Sequence, residues 1–268
     1  MAQPNHGSQA TRPDPHLHKQ ALFTFHGELN DFLPERHKGR EISLAFNGNQ
    51  SVKHLVESLG VPHTEVERIL VGRSRVDFSY LVQDGDTVSA YPPGKTELEA
   101  LSAAERGFLL DNHLGRLAVY LRMLGFDCLY RNDYQDEQLA RLASQQGRVL
   151  LTRDVRLLMR NAIQYGYWVR NTIPRQQLVE VVARFSLEQK ITPFQRCMRC
   201  NGLLQPVSKQ DVLEQLEPLT KKYFDEFRRC PDCNQVYWKG SHYERMLRFI
   251  RQTLEGSDVS PKQGSTAL

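Results

Sequence analysis

Phe108-Leu109-Leu110-Asp111 and Arg148-Val149-Leu150-Leu151-Thr152-Arg153-Asp154 are the two stretches that decide the fold of the central part of this chain. Each is a short apolar run that stops at an acidic residue, as a buried parallel strand does at its carboxyl end. Helical patterns alternate with such runs as far as Phe185, so the sequence predicts βαβ units around a parallel sheet. Open sheets of this class place their sites beyond the carboxyl ends of the strands, where Asp111 and Asp154 are expected.

Three acidic positions are predicted to converge on that edge of the sheet. Asp111 and Asp154 follow the two strands, and Asp136 with Glu137 opens the helical pattern between them. Converging carboxylates repel one another, and hard cations such as Mg²⁺ or Mn²⁺ bind oxygen ligands. Such an ion activates water and stabilises a phosphoryl leaving oxygen, so the pattern favours metal-assisted phosphodiester hydrolysis. Each acid alone is equally compatible with a helix N-cap.

The composition is that of an ordinary soluble globular chain, because 40% of the 268 residues are apolar and 25% are charged. No apolar run reaches the roughly 18–20 residues of a membrane span, and the polar N-terminus does not resemble a signal peptide. A cytoplasmic location is therefore expected. The net charge of +4 permits a nucleic-acid partner without proving one. Most of the arginines that cluster near the acids, Arg122 among them, are expected on solvated helix faces.

Residues 20–95 predict a separate domain with the element order β-β-α-β-β, in which Ser51 caps the helix. This order, with Val61-Pro62-His63-Thr64-Glu65 and Asp84-Gly85-Asp86-Thr87-Val88, resembles the ubiquitin-like β-grasp domain found ahead of Mut7-C ribonuclease domains. Some β-grasp relatives are sulfur carriers with a free Gly-Gly end. The corresponding end here reads Tyr91-Pro92-Pro93-Gly94-Lys95 and continues, which opposes carrier chemistry.

The central stretch also resembles a known family. Leu109 to Ala118, Leu121 to Asp127 and Leu150 to Asp154 are similar to the Mut7-C ribonuclease domain, one of the PIN-like nucleases, and the resemblance runs from about Phe108 to Ile250. It implies an acidic centre that binds Mg²⁺ or Mn²⁺ and cuts RNA, with single-stranded RNA as the expected substrate.

The resemblance assigns roles to the acids. Asp111 and Asp154 match the strand-end acids and are the predicted catalytic metal ligands, and Asp136, with Glu137 beside it, matches the middle acid. PIN-like nucleases often have a fourth acid on a later strand. Asn171 stands there, so that either its amide oxygen serves as a ligand or the position is lost.

Two arginines and a histidine are further candidates at the acidic site. Arg116 and Arg153 are predicted to steady a phosphate, since guanidinium binds phosphate through two hydrogen bonds. The alternative is an ion pair that holds the carboxylates apart. His113 is a possible acid or base, although a lone loop histidine is more often a surface or capping residue.

Cys197, Cys200, Cys230 and Cys233 form two C-x-x-C pairs, which predict a structural zinc site of four sulfur ligands. Two disulfides are the competing interpretation, and the absence of a secretory signal opposes them. A charged helical insert is predicted over residues 208–227. The aromatic residues from Tyr237 to Tyr243 suit either stacking on nucleic-acid bases or a hydrophobic seam beneath a zinc ribbon.

The predicted fold is therefore α/β, with an N-terminal β-grasp domain, a PIN-like parallel-sheet domain and a C-terminal zinc ribbon. The expected boundaries are a disordered leader over 1–19, the β-grasp domain over 20–95, the nuclease domain over 105–188, the zinc ribbon over 192–250 and a disordered tail over 256–268. The leading hypothesis is a metal-dependent ribonuclease whose β-grasp domain recruits a protein partner or restricts access. The alternative is a non-catalytic RNA- or ribosome-associated adaptor with a decayed acidic centre. In a third possibility, the β-grasp domain carries the function and the rest of the chain is a scaffold.

Overall fold

The computed structural model describes residues 18–94 and 103–255. The chain divides into two compact units, residues 1–93 and 94–268. The predicted disordered leader, apart from its last two residues, and the predicted disordered tail lie outside the described residues. Among the helices that are described, none is both long and apolar enough to cross a membrane.

The first unit is a five-stranded mixed sheet with one α-helix. Its elements are β1 (Lys19–Phe25), β2 (Ile42–Phe46), α1 (Val52–Ser58), β3 (Arg68–Val71), β4 (Ser74–Val76) and β5 (Thr87–Tyr91). The strand order is β2-β1-β5-β3-β4. The central strands β1 and β5 are parallel and the other pairs are antiparallel, which is the topology of the predicted β-grasp domain.

Alternation and capping explain why this unit folds as it does. Phe23 and Phe25 of β1 point to the same face and are fully or nearly fully buried. Val52 and Leu55 of α1 close that core from above the sheet. The Ser51 hydroxyl accepts a hydrogen bond from the His54 N–H at 3.3 Å, as predicted for the helix N-cap.

The second unit begins with alternating strands and helices. Its elements are α2 (Ala103–Arg106), β6 (Phe108–Leu110), α3 (Gly115–Met123), β7 (Cys128–Tyr130), α4 (Asp136–Gln146), β8 (Val149–Thr152), α5 (Val155–Leu158), β9 (Gly166–Trp168) and α6 (Pro174–Arg184). The four strands are parallel in the order β7-β6-β8-β9. The predicted parallel sheet is therefore confirmed.

Helices cover both faces of this sheet. Leu110 packs into a core with α3 and α6, whereas Leu109 packs on the opposite face against α4 and α5. The helices that follow the neighbouring strands β6 and β8 thus leave toward opposite faces. That change of direction makes the β6–β8 junction the topological switch point, where α/β sheets form their crevice.

The C-terminal part of the second unit is a small antiparallel sheet followed by a long helix. Its elements are β10 (Gln205–Val207), α7 (Pro218–Tyr223), β11 (Phe227–Arg229), β12 (Val236–Trp238) and α8 (Ser241–Glu255), and the strand order is β10-β11-β12. Helix α8 returns to the parallel-sheet core, where Ile250 is buried and the Phe249 ring lies 4.8 Å from the Tyr120 ring.

The helical insert predicted over residues 208–227 consists of two short helices. The segment contains a 3-10 helix, Gln210–Gln215, and then the short helix α7. Pro218 begins α7 because proline lacks an N–H and is tolerated in the first turn of a helix but not in its interior.

Candidate functional site

Asp111 and Asp154 come together at the carboxyl ends of β6 and β8 through the hydroxyl group of Thr152. Thr152 Oγ1 donates to Asp111 Oδ2 at 2.7 Å and accepts from the Asp154 N–H at 2.9 Å. Asp111 Oδ1 accepts from the Asn112 N–H at 2.6 Å, and Asp154 Oδ1 accepts from the Arg156 N–H at 2.8 Å. Each acid thus also caps the turn that follows its strand.

The charge of Asp111 is buried without a cationic partner. Its side chain is 6% exposed, and its hydrogen-bond donors, the Thr152 hydroxyl and the Asn112 N–H, are neutral. Within residues 18–94 and 103–255, no lysine, arginine or histidine pairs with it. A buried carboxylate is costly unless a cation compensates it. With the exposed Asp154 beside it, the donor set consists of hard oxygen atoms and fits Mg²⁺ or Mn²⁺.

Asp136 and Glu137 lie at the start of α4, where both are exposed and face Arg160. The Arg160 Nη2 atom lies 3.0 Å from Glu137 Oε1 and 3.6 Å from Asp136 Oδ2. Metal ions in proteins are commonly held by histidine, cysteine, aspartate or glutamate. Over the described ranges, the four cysteines are the only group of three or more such residues whose ligand atoms all lie within 4.8 Å of one another. The structure therefore links the Asp111 carboxylate to the backbone of Asp154 through Thr152, and it does not gather Asp136 into one compact cluster with them.

Asn171 follows β9, and its side chain holds the local turn. Its Nδ2 donates to Glu180 Oε2 at 2.6 Å, and its backbone N–H donates to the same oxygen at 2.9 Å. Glu180 Oε1 accepts from the Tyr167 hydroxyl at 3.0 Å and from the Arg170 N–H at 2.7 Å. Glu180 is thus an acid near the fourth strand end that sequence reasoning missed, because a glutamate inside an amphipathic helix has the pattern of a solvated position.

Arg153 links the ends of β8 and β9 through the backbone. Its Nη1 donates to the carbonyl oxygens of Val169, Arg170 and Asn171 at 2.9, 2.7 and 2.6 Å. A site carboxylate, the alternative partner predicted for Arg153, is not among these acceptors. Arg116 is exposed on the first turn of α3 and forms no ion pair with an acidic residue in the described ranges.

The four predicted zinc ligands form a compact sulfur cluster. Cys197 Sγ lies 3.5 Å from Cys233 Sγ, Cys200 Sγ lies 3.3 Å from Cys230 Sγ, and all four sulfurs lie within 4.8 Å of one another. These separations exceed the ~2.05 Å of a disulfide bond. They bracket the ~3.8 Å between sulfurs of a tetrahedral site with zinc–sulfur bonds of about 2.3 Å. The four cysteines can therefore bind a metal ion such as zinc.

Two similar turns shape this cluster. The Asn201 N–H donates to the Cys197 carbonyl at 2.8 Å, and the Asn234 N–H donates to the Cys230 carbonyl at 2.9 Å. Asn201 and Asn234 have φ angles of 78° and 59°, a left-handed conformation that asparagine adopts more readily than most residues. Each C-x-x-C-Asn segment therefore forms a knuckle that turns its cysteines toward the other pair.

Hydrogen bonds make Cys197 an acidic thiol. Burial raises the pKa of Cys197, but hydrogen bonds from the Tyr237 hydroxyl and from the N–H groups of Cys200 and Arg199 outweigh it and lower the pKa to about 7. The Tyr237 hydroxyl oxygen lies 3.1 Å from the sulfur. The thiolate form that a metal requires is thus present near neutral pH.

The first knuckle is attached to the parallel sheet at β7. Arg122 donates from Nε and Nη2 to the Cys128 carbonyl at 3.0 and 2.8 Å, and from Nη1 to the carbonyls of Met198 and Arg199 at 3.2 and 3.1 Å. Asn201 Oδ1 accepts from the Cys128 N–H at 2.9 Å. The expectation that Arg122 lies on a solvated face is wrong, since its side chain is 4% exposed, and burial lowers its pKa.

Asp127 adds a charged contact at the same junction. Its carboxylate accepts from Arg148 Nη1 at 2.9 Å, from Arg148 Nη2 at 3.2 Å and from Asn201 Nδ2 at 2.8 Å, and Arg196 Nη2 lies 3.4 Å away. Burial raises the pKa of Asp127, but the hydrogen bonds from Arg148 and Asn201 outweigh it, so the pKa lies below the usual value.

Comparison with known proteins supports the two resemblances. The model of the Mut7-C RNAse domain family matches residues 106–250, and the model of the Mut7-C ubiquitin family matches residues 18–97. No curated protein and no solved structure matches the chain. The first match covers 145 of the 268 residues, counted from 106 through 250, and supports a nuclease-type function. The chain therefore belongs to the Mut7-C RNAse domain family and has a Mut7-C ubiquitin domain ahead of the RNAse domain.

Proposed function

We propose that this protein is a metal-dependent ribonuclease that hydrolyses RNA phosphodiester bonds at Asp111 and Asp154. One observation carries the proposal within the nuclease-type family: Asp111 is 6% exposed, and among the described residues its carboxylate has only neutral hydrogen-bond donors, at the switch point of a parallel sheet. A buried charge of this kind is matched by a cation. Asp111 and Asp154 would hold that cation, Mg²⁺ or Mn²⁺, through their oxygens.

The chain's own residues prepare this site. When bound, such an ion lowers the pKa of water and stabilises a developing negative charge on a leaving oxygen. Thr152 fixes the orientation of Asp111 and the backbone of Asp154. Arg116, exposed in the first turn of α3, would bind a phosphate of the RNA.

Asp136 and Glu137 are proposed as the middle acids of the same site. Their partner is the partly exposed Arg160, and the side chains of Asp136 and Glu137 are 51% and 77% exposed. Water screens an exposed ion pair, so that it contributes little to stability. Releasing either acid toward a cation therefore costs little, and this keeps them compatible with the site although they do not lie in one compact cluster with Asp111.

A non-catalytic RNA-binding adaptor is the second candidate, and Asn171 favours it. The position where PIN-like nucleases often have a fourth acid carries an amide whose Nδ2 donates to Glu180. Asn171 is then a structural residue, and the acidic centre has fewer ligands. In both readings we propose a cytoplasmic location, single-stranded RNA as the nucleic-acid partner and a protein partner for the β-grasp domain.

The decisive experiment measures cleavage of labelled single-stranded RNA by zinc-loaded protein with added Mn²⁺ or without any added divalent ion. Asp111→Asn and Asp154→Asn are the test variants, because asparagine caps a turn about as well as aspartate but offers no carboxylate. We expect each variant to lose at least about 100-fold in cleavage rate, in line with the 10- to 100-fold or larger effects of altered metal sites, and to bind RNA as the wild type does.

Asp211→Asn is the matched control, since Asp211 is an exposed acid of the C-terminal part whose carboxylate bonds to Ser208. Its cleavage rate should equal that of the wild type. Cleavage that does not depend on added Mn²⁺, or equal rates in all three variants, would refute the proposed site. RNA binding by the wild type without cleavage under any metal condition would establish the adaptor instead.

A further inference from the structure

A cleft of about 1140 Å³ lies between the zinc-ribbon sheet, the second half of α3 and the helix α8. Most of its wall is apolar, with Val119, Met123 and Met246 among the lining residues. The volume exceeds the roughly 300–1,000 Å³ typical of small-molecule pockets. The cleft is therefore large enough for a segment of a polymer rather than a single small metabolite.

Aromatic rings line this cleft in positions suited to planar ligands. Phe194 is buried, and its ring lies 4.3 Å from the half-buried Tyr243 ring at 40°, so that Phe194 supports Tyr243 and offers no exposed face of its own. Trp238 is 37% exposed at the end of β12, and its indole lies over Gly240, where a Cβ atom would come within 2.7 Å of Nε1. Because Gly240 has no side chain, the indole can occupy this space. Exposed aromatic faces of this kind stack on nucleobases.

The charges of the cleft favour an anionic ligand. Arg199, Arg228 and Arg245 are among its lining residues, and none of them forms an ion pair with an acidic residue in the part of the chain that the structure describes. The acidic residues of the lining, Asp225 and Glu226, are already paired with lysines at 2.8 and 3.0 Å. The free positive charge therefore belongs to arginine, whose guanidinium binds phosphate.

We propose that this cleft binds a segment of single-stranded RNA, with bases on the aromatic rings and phosphates on the three arginines. The proposal rests on the proposed function, because RNA is the substrate assigned there. An acidic peptide would match the arginines but would leave the aromatic faces without planar partners. Helix α3 joins the two sites: it begins at Gly115, just after Asp111, and ends at Met123 in the cleft wall, a length of about 14 Å at 1.5 Å per residue.

The test measures binding of a labelled oligouridylate to the zinc-loaded full chain in EDTA-free buffer without Mg²⁺ or Mn²⁺, so that binding is read without cleavage. Trp238→Ala is expected to weaken binding by about tenfold or more, from the loss of a stacking partner, whereas Trp238→Phe should bind nearly as the wild type does. Arg199→Gln and Arg245→Gln should each reduce the slope of log K against log salt by about 0.7, the value for one phosphate contact on a single strand.

Matched controls come from the same part of the chain. Tyr223→Ala removes an exposed ring, and Arg248→Gln removes an exposed cation of α8, and neither residue lines the cleft. Both variants should bind as the wild type does. The zinc content of every variant is measured as a check of folding, and if both Trp238 variants lose zinc, the two arginine variants decide the result.

The cleft proposal would be overturned if Trp238→Ala and both arginine variants bound the oligouridylate as the wild type does. It would also be overturned if an abasic strand of the same length bound as tightly as the oligouridylate. Equally tight binding of polyglutamate would overturn it as well and would assign the cleft to an acidic protein. Failure of the nuclease proposal is a separate observation. RNA binding that depends on the cleft, without metal-dependent cleavage, supports the cleft and refutes the nuclease. Metal-dependent cleavage together with unaltered RNA binding in all cleft variants supports the nuclease and refutes the cleft.

Discussion

Thr152 lies fully buried between the two acids of the proposed site, and its hydroxyl group is bonded to both of their residues. Thr152→Val keeps the shape of the side chain but leaves Asp111 Oδ2 and the Asp154 N–H without this partner. We expect a loss of about 10- to 100-fold in metal affinity or activity, as for other residues that orient metal ligands. Unfolding should become easier by about 1–3 kcal/mol. A Mn²⁺ titration of the cleavage rate and urea unfolding measure the two effects.

Thr152→Ser is the matched control, because serine retains the hydroxyl and loses only a methyl group. Its metal dependence should stay close to that of the wild type. If the valine variant had the same metal dependence as the wild type, the Thr152 hydroxyl would have no role in orienting Asp111 for metal binding.

At this scale the sequence predicted residues whose chemistry is local and missed those whose partners are distant. The cysteine pairs were predictable because both cysteines of a knuckle lie within four residues. Arg122 was not, since its carbonyl partners Met198 and Arg199 lie 76 and 77 residues away along the chain. Thr152 was missed because it has the pattern of an ordinary last residue of a strand.

Among the elements, β7 and the first zinc knuckle depend on one another through Asp127. The pKa of Asp127 is lower in the folded chain than its usual value. Its carboxylate therefore stabilises the fold above the unfolded pKa, about 3.9, and this contribution is lost as the pH falls through the folded pKa. Asp127→Asn should destabilise the protein by about 1.5–3 kcal/mol at neutral pH, and the difference from wild type should shrink below about pH 4.

Urea unfolding of both proteins over a pH series measures this difference. Asp133→Asn is the matched control, because Asp133 pairs with Arg131 on the surface, with both side chains at least 60% exposed. It should change stability little at any pH. A difference for Asp127→Asn that stays constant into acid would contradict the assigned role of the charge.

The zinc knuckles also predict how the five cysteines react. Chelation of the metal is expected to unfold the ribbon, since structural zinc sites supply folding energy. Four thiols should then react rapidly with a disulfide reagent, whereas Cys128 stays protected because it is fully buried in the parallel-sheet core and burial raises its pKa. All five should react in denaturant. The slow reaction of Cys128 should be absent in Cys128→Ala, whereas the fast reaction of the other four thiols should be unchanged. Five equally fast thiols after chelation would contradict this assignment.

Some elements could not be read from the sequence. The strand β4 is only Ser74-Arg75-Val76, too short to show alternation. The helix α8 was missed although Tyr243, Met246, Leu247 and Ile250 have the spacing of one helical face, because the charged residues between them obscured the pattern. The inner parallel strands β6 and β8 were predictable because both are fully buried, mainly apolar runs that end at a polar turn.

For the whole molecule, the two units have separate hydrophobic cores. The cluster around Phe23 is drawn from residues 21–90, and the cluster around Leu110 from residues 103–250. We expect Phe23→Ala to destabilise the first unit by about 3–5 kcal/mol and Leu110→Ala to destabilise the second by about 2–5 kcal/mol. Hydrogen exchange read by peptide should show each loss of protection only in the unit that carries the change. Loss of protection in both units from either variant would contradict independent folding.

The attachment of the zinc knuckle to β7 has a consequence for solubility. β7 is an edge strand, and both the N–H and the carbonyl of Cys128 are occupied, by Asn201 and Arg122. An uncovered edge pairs readily with a strand of another molecule. A chain that loses its metal also loses the knuckle that covers this edge, so chelated protein should self-associate, which light scattering detects. Zinc would then prevent aggregation of the α/β domain in addition to stabilising the ribbon.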